Sequence, residues 1–139
     1  MTAPANADIL LVEDSDADAE LTTRALRKGR VVNPIHLARD GQEAIDFLAA
    51  AATLPRVVLL DLKLPKKSGI EVLEWIRAEP RTRTLPVVML TSSREEPDIA
   101  RCYALGVNSY IVKPVEFDAF AKAVVDIGLY WMLLNEPAR

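Results

Sequence analysis

The feature that most constrains the fold of this chain is an alternation, five times over, of short apolar runs with longer amphipathic segments. Residues 9–12 and 57–60 are the clearest runs, because both are apolar without interruption. A strand that is apolar on both faces has to be covered on both faces, as in a parallel sheet with helices on either side. Right-handed crossovers between such strands give a three-layer α/β/α sandwich. The pattern therefore predicts an α/β fold with a five-stranded parallel sheet, and it leaves the strand order open.

Capping residues and apolar periodicity set the predicted boundaries of the elements. Ser15 and Asp40 are candidate N-caps of the first two helices, and Gly29 is a stop signal after the first. The predicted strands are residues 9–12, 34–38, 57–60, 86–90 and 109–112. The predicted helices are residues 16–28, 41–50, 70–78, 97–105 and 116–134.

The length of the chain, 139 residues, fits one domain, and neither repeats nor a linker divide it. We expect a disordered segment at residues 1–7, followed by a single domain over residues 8–139 that ends in an extended C-terminal helix. With 17 basic and 20 acidic residues the net charge is -3, so the chain lacks the basic surplus of a nucleic-acid-binding protein. Its longest apolar run, residues 127–134, is too short to span a membrane. The single cysteine, Cys102, is expected to be buried or half-buried and fits a cytoplasmic location.

Polar side chains follow four of the five predicted strands, at the point where each strand ends. In an open parallel sheet these carboxyl ends meet at one rim, which is where ligands bind. Three carboxylates, two hydroxyls and an amine are therefore predicted to converge there. They are Glu13 and Asp14 after the first strand, Asp61 after the third, Thr91 and Ser92 after the fourth, and Lys113 after the fifth.

Three carboxylates in one place repel each other, and a hard divalent cation relieves that repulsion. Mg²⁺ prefers oxygen ligands and usually binds through one or two carboxylates together with a phosphate. We expect Asp14 and Asp61 to be direct ligands, the backbone carbonyl of Lys63 to complete the set, and Glu13 to act through water. Mg²⁺ is thus the predicted cofactor.

A magnesium site beside an ammonium group and hydroxyl groups is typical of phosphoryl transfer, which needs in-line positioning and neutralisation of charge. Asp61 is the predicted nucleophile and would form an acyl phosphate. Lys113, Thr91 and Ser92 would bind the phosphoryl group on the side opposite the metal. Each residue alone is more often a turn, cap or solvated residue, and the joint occurrence on successive strand ends favours the functional interpretation.

The motifs at these strand ends resemble the response-regulator receiver domain, a CheY-like family. The similarity lies in residues 10–14, 59–65, 69, 90–92 and 113–114, and their spacings also agree. It implies a flavodoxin-like strand order of 2-1-3-4-5 and a cis peptide between Lys113 and Pro114. It further implies that Asp61 accepts its phosphoryl group from a histidine kinase, and that residues 63 and 93 tune the lifetime of the product.

The same resemblance implies how phosphorylation would be transmitted. Thr91 would move toward the phosphoryl group and Tyr110 would turn inward. The face made by the fourth helix, the fifth strand and the fifth helix would then change, as a new charge biases a packing arrangement with two states. From the residues alone, Tyr110 is equally well an ordinary aromatic side chain of an edge strand.

A narrower similarity concerns residues 61–69 and the Tyr130–Trp131 pair. They look like the small stand-alone regulators that partner phytochrome-type photoreceptor kinases. With no output domain evident in the sequence, the expected output is a protein contact or onward phosphotransfer. Such a protein catalyses only its own phosphorylation and dephosphorylation and is not otherwise an enzyme.

The predicted last helix becomes apolar on all sides near its end, which requires cover on all sides. We expect a homodimer interface there, formed by Leu129, Tyr130, Trp131 and Leu133. The alternative is that this segment folds back over its own domain.

Two other functions fit parts of the pattern. A haloacid-dehalogenase-type phosphatase also uses an aspartyl nucleophile on a parallel sheet, but it needs a second aspartate where this chain has Lys63. A receiver that serves only as a docking module, without phosphorylation, is the other alternative. The sole histidine, His36, lies in a predicted strand and is interpreted as structural.

Overall fold

A computed structural model describes residues 8–128, which form five parallel strands and five helices in strict alternation. The predicted α/β sandwich is therefore confirmed, and most predicted boundaries agree within two residues. The strands are β1 Ile9–Val12, β2 Ile35–Ala38, β3 Val57–Asp61, β4 Val87–Thr91 and β5 Ser109–Val112. The helices are α1 Asp16–Lys28, α2 Gly41–Ala50, α3 Gly69–Ala78, α4 Asp98–Ala104 and α5 Phe117–Asp126.

The sheet has the strand order β2-β1-β3-β4-β5, as the resemblance implied. The three central strands, β1, β3 and β4, are buried along their whole length, whereas most of β2 and β5 is only half-buried. The register pairs Val12 with Leu60, Asp61 with Leu90, and Thr91 with Val112. This register brings the carboxyl ends of the central strands to one level, so the residues that follow them share a rim.

Alternate residues of each central strand feed two separate cores. Leu10 and Leu60 point into the core covered by α2, α3 and α4, whereas Ile9 and Leu59 point into the core covered by α1 and α5. Burying one such side chain stabilises the fold by about 1.5–3 kcal/mol. Cys102 on α4 belongs to the first core, which confirms that it is buried.

The starts of α1, α2 and α3 are defined by side-chain caps. Ser15 accepts a hydrogen bond from the Asp18 N–H, and Asp40 caps α2 in the same way, so both predicted caps are confirmed. Ser68, which was not predicted as a cap, forms a reciprocal capping box with Glu71 at the start of α3. These caps fix where these three helices begin.

The end of α5 differs from the prediction. An unbroken helix over residues 116–134 was expected, but α5 ends at Asp126. Gly128 adopts a positive φ of 79°, and its N–H donates to the Val125 carbonyl at 3.1 Å. Glycine tolerates this left-handed conformation and so ends the helix there. The predicted disordered segment 1–7 and the proposed interface residues Leu129, Tyr130, Trp131 and Leu133 lie outside the described residues.

Two further observations concern the described residues. The Lys113–Pro114 peptide bond is cis, as the resemblance implied. Among residues 8–128, no helix is both long enough and apolar enough to cross a membrane.

Candidate functional site

Three acidic side chains meet at the carboxyl ends of β1 and β3. Glu13 and Asp14 follow β1 directly, and Asp61 is the last residue of β3. One carboxylate oxygen from each lies within 4.8 Å of the other two. The predicted acidic cluster is therefore present, with Glu13 and Asp61 buried and Asp14 exposed.

Lys113 reaches this cluster from the end of β5. Its Nζ lies 3.2 Å from Oδ2 of Asp61 and 3.2 Å from Oε2 of Glu13. It also donates to Oδ2 of Asp18 at 3.0 Å. Asp18 lies in the first turn of α1, and its contact with Lys113 was not predicted from the sequence. The position of Asp18 in the first helical turn, soon after the rim residues Glu13 and Asp14, is the signal that could have found this contact.

The electrostatics of the cluster follow from burial and like charge. Burial, together with the hydrogen bond to Asp61 and its negative charge, raises the pKa of Glu13 from 4.5 to about 7. Burial by itself would lower the pKa of Lys113, but its bonds to Asp18, Asp61 and Glu13 outweigh that effect and raise the pKa. Lys113 is therefore cationic at neutral pH, and it cannot balance all the surrounding acids alone.

Thr91 and Ser92 take different positions after β4. Thr91 is fully buried, and its hydroxyl donates to the Ser93 carbonyl at 3.0 Å. The same oxygen accepts from the Ser93 N–H at 3.3 Å. Ser92 is exposed and lines the cavity that contains Asp61 and Lys113. The Thr91 hydroxyl is thus engaged with its own loop, and the structure gives it no hydrogen bond to Asp61.

Both the backbone and the side chain of Lys63 lie beside the cavity that contains Asp61. Its N–H donates to Oδ1 of Asp61 at 3.4 Å, which is a long hydrogen bond. Its Nζ lies 3.6 Å from Oε2 of Glu96 in the loop after β4. Lys63 lines the cavity beside Asp14, which is consistent with a ligand role for its carbonyl oxygen. That role stays a prediction.

Gly69 sets the path of the loop that follows Asp61. A Cβ at this position would lie 2.4 Å from the Asp61 carbonyl oxygen and 2.8 Å from Cα of Leu62. Both are closer than real contacts allow, and both atoms are backbone. Only glycine lets α3 begin this close to the end of β3, and the close approach holds the backbone of Asp61 in place.

Tyr110 lies outside this cavity. Its ring packs edge-to-face on Tyr103, with centroids 6.1 Å apart and an interplanar angle of 83°. Both tyrosines line a groove of about 600 Å³ between α4, β5 and α5, here called the α4–β5–α5 groove. His36 is also remote from the rim, where its Nε2 lies 2.5 Å from Oδ2 of Asp8 and its ring packs near Phe47. This environment agrees with the structural interpretation of His36.

The donor set of the rim fits a hard divalent cation. Carboxylate oxygens are the ligands that Mg²⁺ and Mn²⁺ prefer, and three of them within 4.8 Å repel one another without a cation. The fold and the rim together define a flavodoxin-like α/β protein with an acidic cation site and a lysine beside one buried aspartate.

The response regulator receiver domain family matches residues 9–125. The chain belongs to this family. A curated relative, the probable methanogenesis regulatory protein FilR2 of Methanothrix harundinacea, is 44% identical over 131 residues, covering 91% of this chain and 84% of FilR2.

Two solved structures have the same fold as this chain. The bacteriophytochrome response regulator AtBRR is 53% identical with a TM-score of 0.84, covering 93% of this chain and 97% of AtBRR. The Mn²⁺-bound form of the response regulator Rcp1 is 38% identical with a TM-score of 0.72, covering 94% of this chain and 99% of Rcp1. The resemblance to receivers, including phytochrome-associated ones, is therefore confirmed.

Proposed function

We propose that this protein accepts a phosphoryl group on Asp61 from a histidine kinase, with Mg²⁺, as a response regulator of a two-component phosphorelay. The observation that carries the proposal is the position of the Asp61 carboxylate. Its Oδ2 is bonded to the ammonium of Lys113, and it shares a site for a divalent cation with Glu13 and Asp14. An anionic nucleophile between two positive charges suits an incoming anionic phosphoryl group.

Asp61 is a better acceptor than its acidic neighbours. Glu13 is buried, and its raised pKa of about 7 leaves it partly protonated at neutral pH. Asp14 is exposed, and the described contacts include no cation paired with its carboxylate. Asp61 has Lys113 at one oxygen and the Lys63 N–H at the other, on a backbone held by Gly69.

The transfer step balances without further reactants. One oxygen of Asp61 attacks the phosphorus of a phosphohistidine, and a new O–P bond forms. The P–N bond to the kinase imidazole breaks, and its electron pair leaves with the imidazole nitrogen. Asp61 and Asp14, with the Lys63 carbonyl and with Glu13 through water, would hold the Mg²⁺, which neutralises charge on the phosphoryl oxygens.

Lys113, Thr91 and Ser92 would bind the phosphoryl oxygens on the other side. Lys113 already points into the cavity, and Ser92 lines it. Thr91 has to exchange its bond to the Ser93 carbonyl for one to the phosphoryl group, which would move the loop after β4. Reorientation of Tyr110 against Tyr103 would then alter the α4–β5–α5 groove, where a partner would bind.

The partner proposed for this chain is a phytochrome-type histidine kinase, because its similarity to AtBRR covers nearly the whole chain. The protein would catalyse only its own phosphorylation and dephosphorylation. Homodimerisation through Leu129, Tyr130, Trp131 and Leu133, and a cytoplasmic location, stay predictions. Sedimentation with and without an acyl-phosphate mimic tests the dimer, and a monomer at tens of micromolar in both states contradicts it.

Labelling with a small phosphodonor tests the proposal directly. The protein and its Asp61→Asn variant are incubated with Mg²⁺ and radiolabelled acetyl phosphate. The wild type should gain an acid-stable, base-labile label, and Asp61→Asn should gain none. Asp46→Asn, at an exposed position on α2, is the control and should label like the wild type. Labelling of neither protein would favour the docking module, and steady turnover of a phosphomonoester would favour the phosphatase.

A further inference from the structure

A second cavity lies at the amino ends of β3 and β4, at the opposite end of the sheet from Asp61. Its walls come from the loop between α2 and β3 and the loop between α3 and β4, and its volume is about 490 Å³. This cavity, here called the amino-end cavity, is lined by residues 52–56, 81 and 84–86. None of the described residues that line it is acidic, and its polar side chains are those of Arg56, Arg81, Thr53 and Thr84.

Arg56 brings an unsatisfied hydrogen-bond donor to this cavity. Its Nε is the one buried side-chain nitrogen or oxygen atom within residues 8–128 that has no hydrogen-bond partner. A buried polar atom without a partner costs free energy, and the cost is larger when the atom belongs to a charged group. An oxyanion that accepts from Nε and from a neighbouring Nη would remove this cost, because guanidinium groups bind phosphates and carboxylates through two parallel bonds.

The acidic residue that the backbone brings next to Arg56 is already paired with another side chain. The Arg56 N–H donates to the Asp8 carbonyl at 2.8 Å. The carboxylate of Asp8, however, has its Oδ2 at 2.5 Å from Nε2 of His36. Asp8 therefore binds the imidazole of His36, and the described ion pairs do not join it to the guanidinium of Arg56.

Arg81 adds a second positive charge, and its described hydrogen bonds go to neutral groups. Its Nη1 donates to the Leu48 carbonyl at 3.0 Å, and its Nη2 donates to the Ala51 carbonyl. Backbone carbonyls orient a guanidinium group without neutralising its charge. The lining thus combines two positive charges with two hydroxyl groups, so it attracts anions even though the net charge of the chain is -3.

We propose that the amino-end cavity binds the phosphate group of a small phosphate ester, with Arg56 as its principal ligand. A phosphate dianion accepts hydrogen bonds from guanidinium and hydroxyl groups alike, and Leu54, Pro55 and Leu85 provide an apolar wall for the organic part of the ester. The volume of about 490 Å³ lies within the range of roughly 300–1,000 Å³ for small-molecule sites. No residue lines both this cavity and the one that contains Asp61, so the inference does not rest on the proposed function.

A titration followed by amide NMR signals, without Mg²⁺ and at constant ionic strength, tests the inference. Phenyl phosphate should shift the signals of residues 52–56 and 81–85 with a dissociation constant of about 1 mM, the affinity expected of a few charge-assisted bonds at an open site. Benzoate has the same ring but a single negative charge and should bind about tenfold more weakly. Inorganic phosphate lacks the ring and should bind about threefold more weakly, because it does not use the apolar wall.

Variants separate a built site from general attraction by positive charge. Arg56→Gln should weaken the binding of phenyl phosphate about tenfold, and Arg56→Lys, which keeps the charge but not the paired donors, about threefold. Arg83→Gln is the matched control. It removes an exposed arginine from the same loop between α3 and β4, outside the lining of the cavity, and should change binding less than twofold. Equal losses in Arg56→Gln and Arg83→Gln would overturn the inference.

Other outcomes are equally decisive. Shifts confined to residues 13–14, 61–63 and 113 would place the anion beside Asp61 and overturn the inference, as would tighter binding of benzoate than of phenyl phosphate. Equal binding of inorganic phosphate and phenyl phosphate would overturn the ester as the ligand and assign the site to free phosphate. Urea denaturation checks that Arg56→Gln is folded, and Thr84→Val, at an exposed position of the lining, provides a second variant that should weaken binding about threefold. Loss of labelling at Asp61 would contradict only the proposed function.

Discussion

At the amino ends of the strands, arginines donate hydrogen bonds to backbone carbonyls, whereas at the carboxyl ends carboxylates lie against one another. Arg77 donates to the Gly106 and Leu85 carbonyls, each at 2.8 Å, and Arg81 donates to the Ala51 carbonyl at the end of α2. These charges satisfy acceptors that the ends of helices and loops leave open. The charged side chains at this end of the sheet therefore stabilise the fold.

The opposite end combines Glu13, Asp14, Asp18 and Asp61 around the ammonium of Lys113. Such an arrangement destabilises the folded chain unless further positive charge arrives, because like charges are held together away from water. One fold thus separates its stabilising charges from its reactive ones, at opposite ends of the same strands. Changes at the two ends should therefore have different and separable effects.

The largest expected effect concerns Lys113. Lys113→Met removes the cation at Oδ2 of Asp61 and should slow phosphorylation by acetyl phosphate about 100-fold or more, as loss of a charge-stabilising donor does elsewhere. Initial rates of label incorporation measure this. Lys66→Met removes an exposed lysine near the same end and serves as the control. A rate within threefold of the wild type in Lys113→Met would show that the charges at the carboxyl ends do not promote phosphorylation.

The next effect is on stability and concerns the amino ends. Arg77→Met leaves the Gly106 and Leu85 carbonyls without their donor and should lower the free energy of unfolding by about 3 kcal/mol in urea denaturation. Its labelling rate should stay at the wild-type level under conditions where it is folded. Arg101→Gln, which breaks the exposed pair of Arg101 with Glu74, should cost less than about 1 kcal/mol. Equal losses in both variants would contradict a special stabilising role for Arg77 at the amino ends.

The pH dependence of stability tests the crowding of carboxylates. The pKa of Glu13 rises from 4.5 to about 7 on folding, so between these values the folded protein binds more protons than the unfolded chain. Without Mg²⁺, the free energy of unfolding should therefore fall by about 3 kcal/mol as the pH rises through this window. Mg²⁺ affinity should rise over the same window, because the carboxyl group has to ionise.

Glu13→Gln should reduce the pH dependence of both the free energy of unfolding and the Mg²⁺ affinity. The matched control is Glu20→Gln, which removes an exposed carboxylate paired with Arg24 and should keep the wild-type slopes. A stability profile that is the same in Glu13→Gln and wild type would contradict the raised pKa as its cause. Urea titrations at several pH values, with and without Mg²⁺, provide the measurement.

The smallest expected effect is a gain in stability. Asp61→Asn removes one of the crowded charges and should raise the free energy of unfolding by about 1 kcal/mol in the absence of Mg²⁺, while it abolishes labelling. With saturating Mg²⁺ the gain should vanish or reverse, because the variant binds the cation less well. A loss of stability without Mg²⁺ would mean that the Lys113 contact outweighs the repulsion.

Much of the fold could be predicted because it depends on local patterns. Uninterrupted apolar runs such as residues 57–60 require a covered parallel sheet, and Ser15 and Asp40 mark helix starts through one hydrogen bond each. The position of the site could also be predicted, because residues that directly follow parallel strands lie at the same edge of the sheet. The strand order did not follow from periodicity and came from the family resemblance.

The rest depends on packing that the sequence does not display. Asp18 reaches Lys113 only because α1 docks in one orientation, and the two residues are 95 positions apart. The engagement of Thr91 with Ser93 is a choice of side-chain rotamer within a loop. The end of α5 was missed because the apolar pattern continues past Gly128, although the backbone conformation at this glycine stops the helix.

The burial of Cys102 has a practical consequence for measuring conformational changes of this protein with attached labels. It is the only thiol in the chain, it is 1% exposed, and burial raises its pKa, so thiol reagents should leave it untouched. A pair of cysteines introduced on the surface would then be the sole targets for spin labels or fluorophores. Labels on α4 and α5 could report, in real time and in a native background, how far the two helices separate when Asp61 is modified.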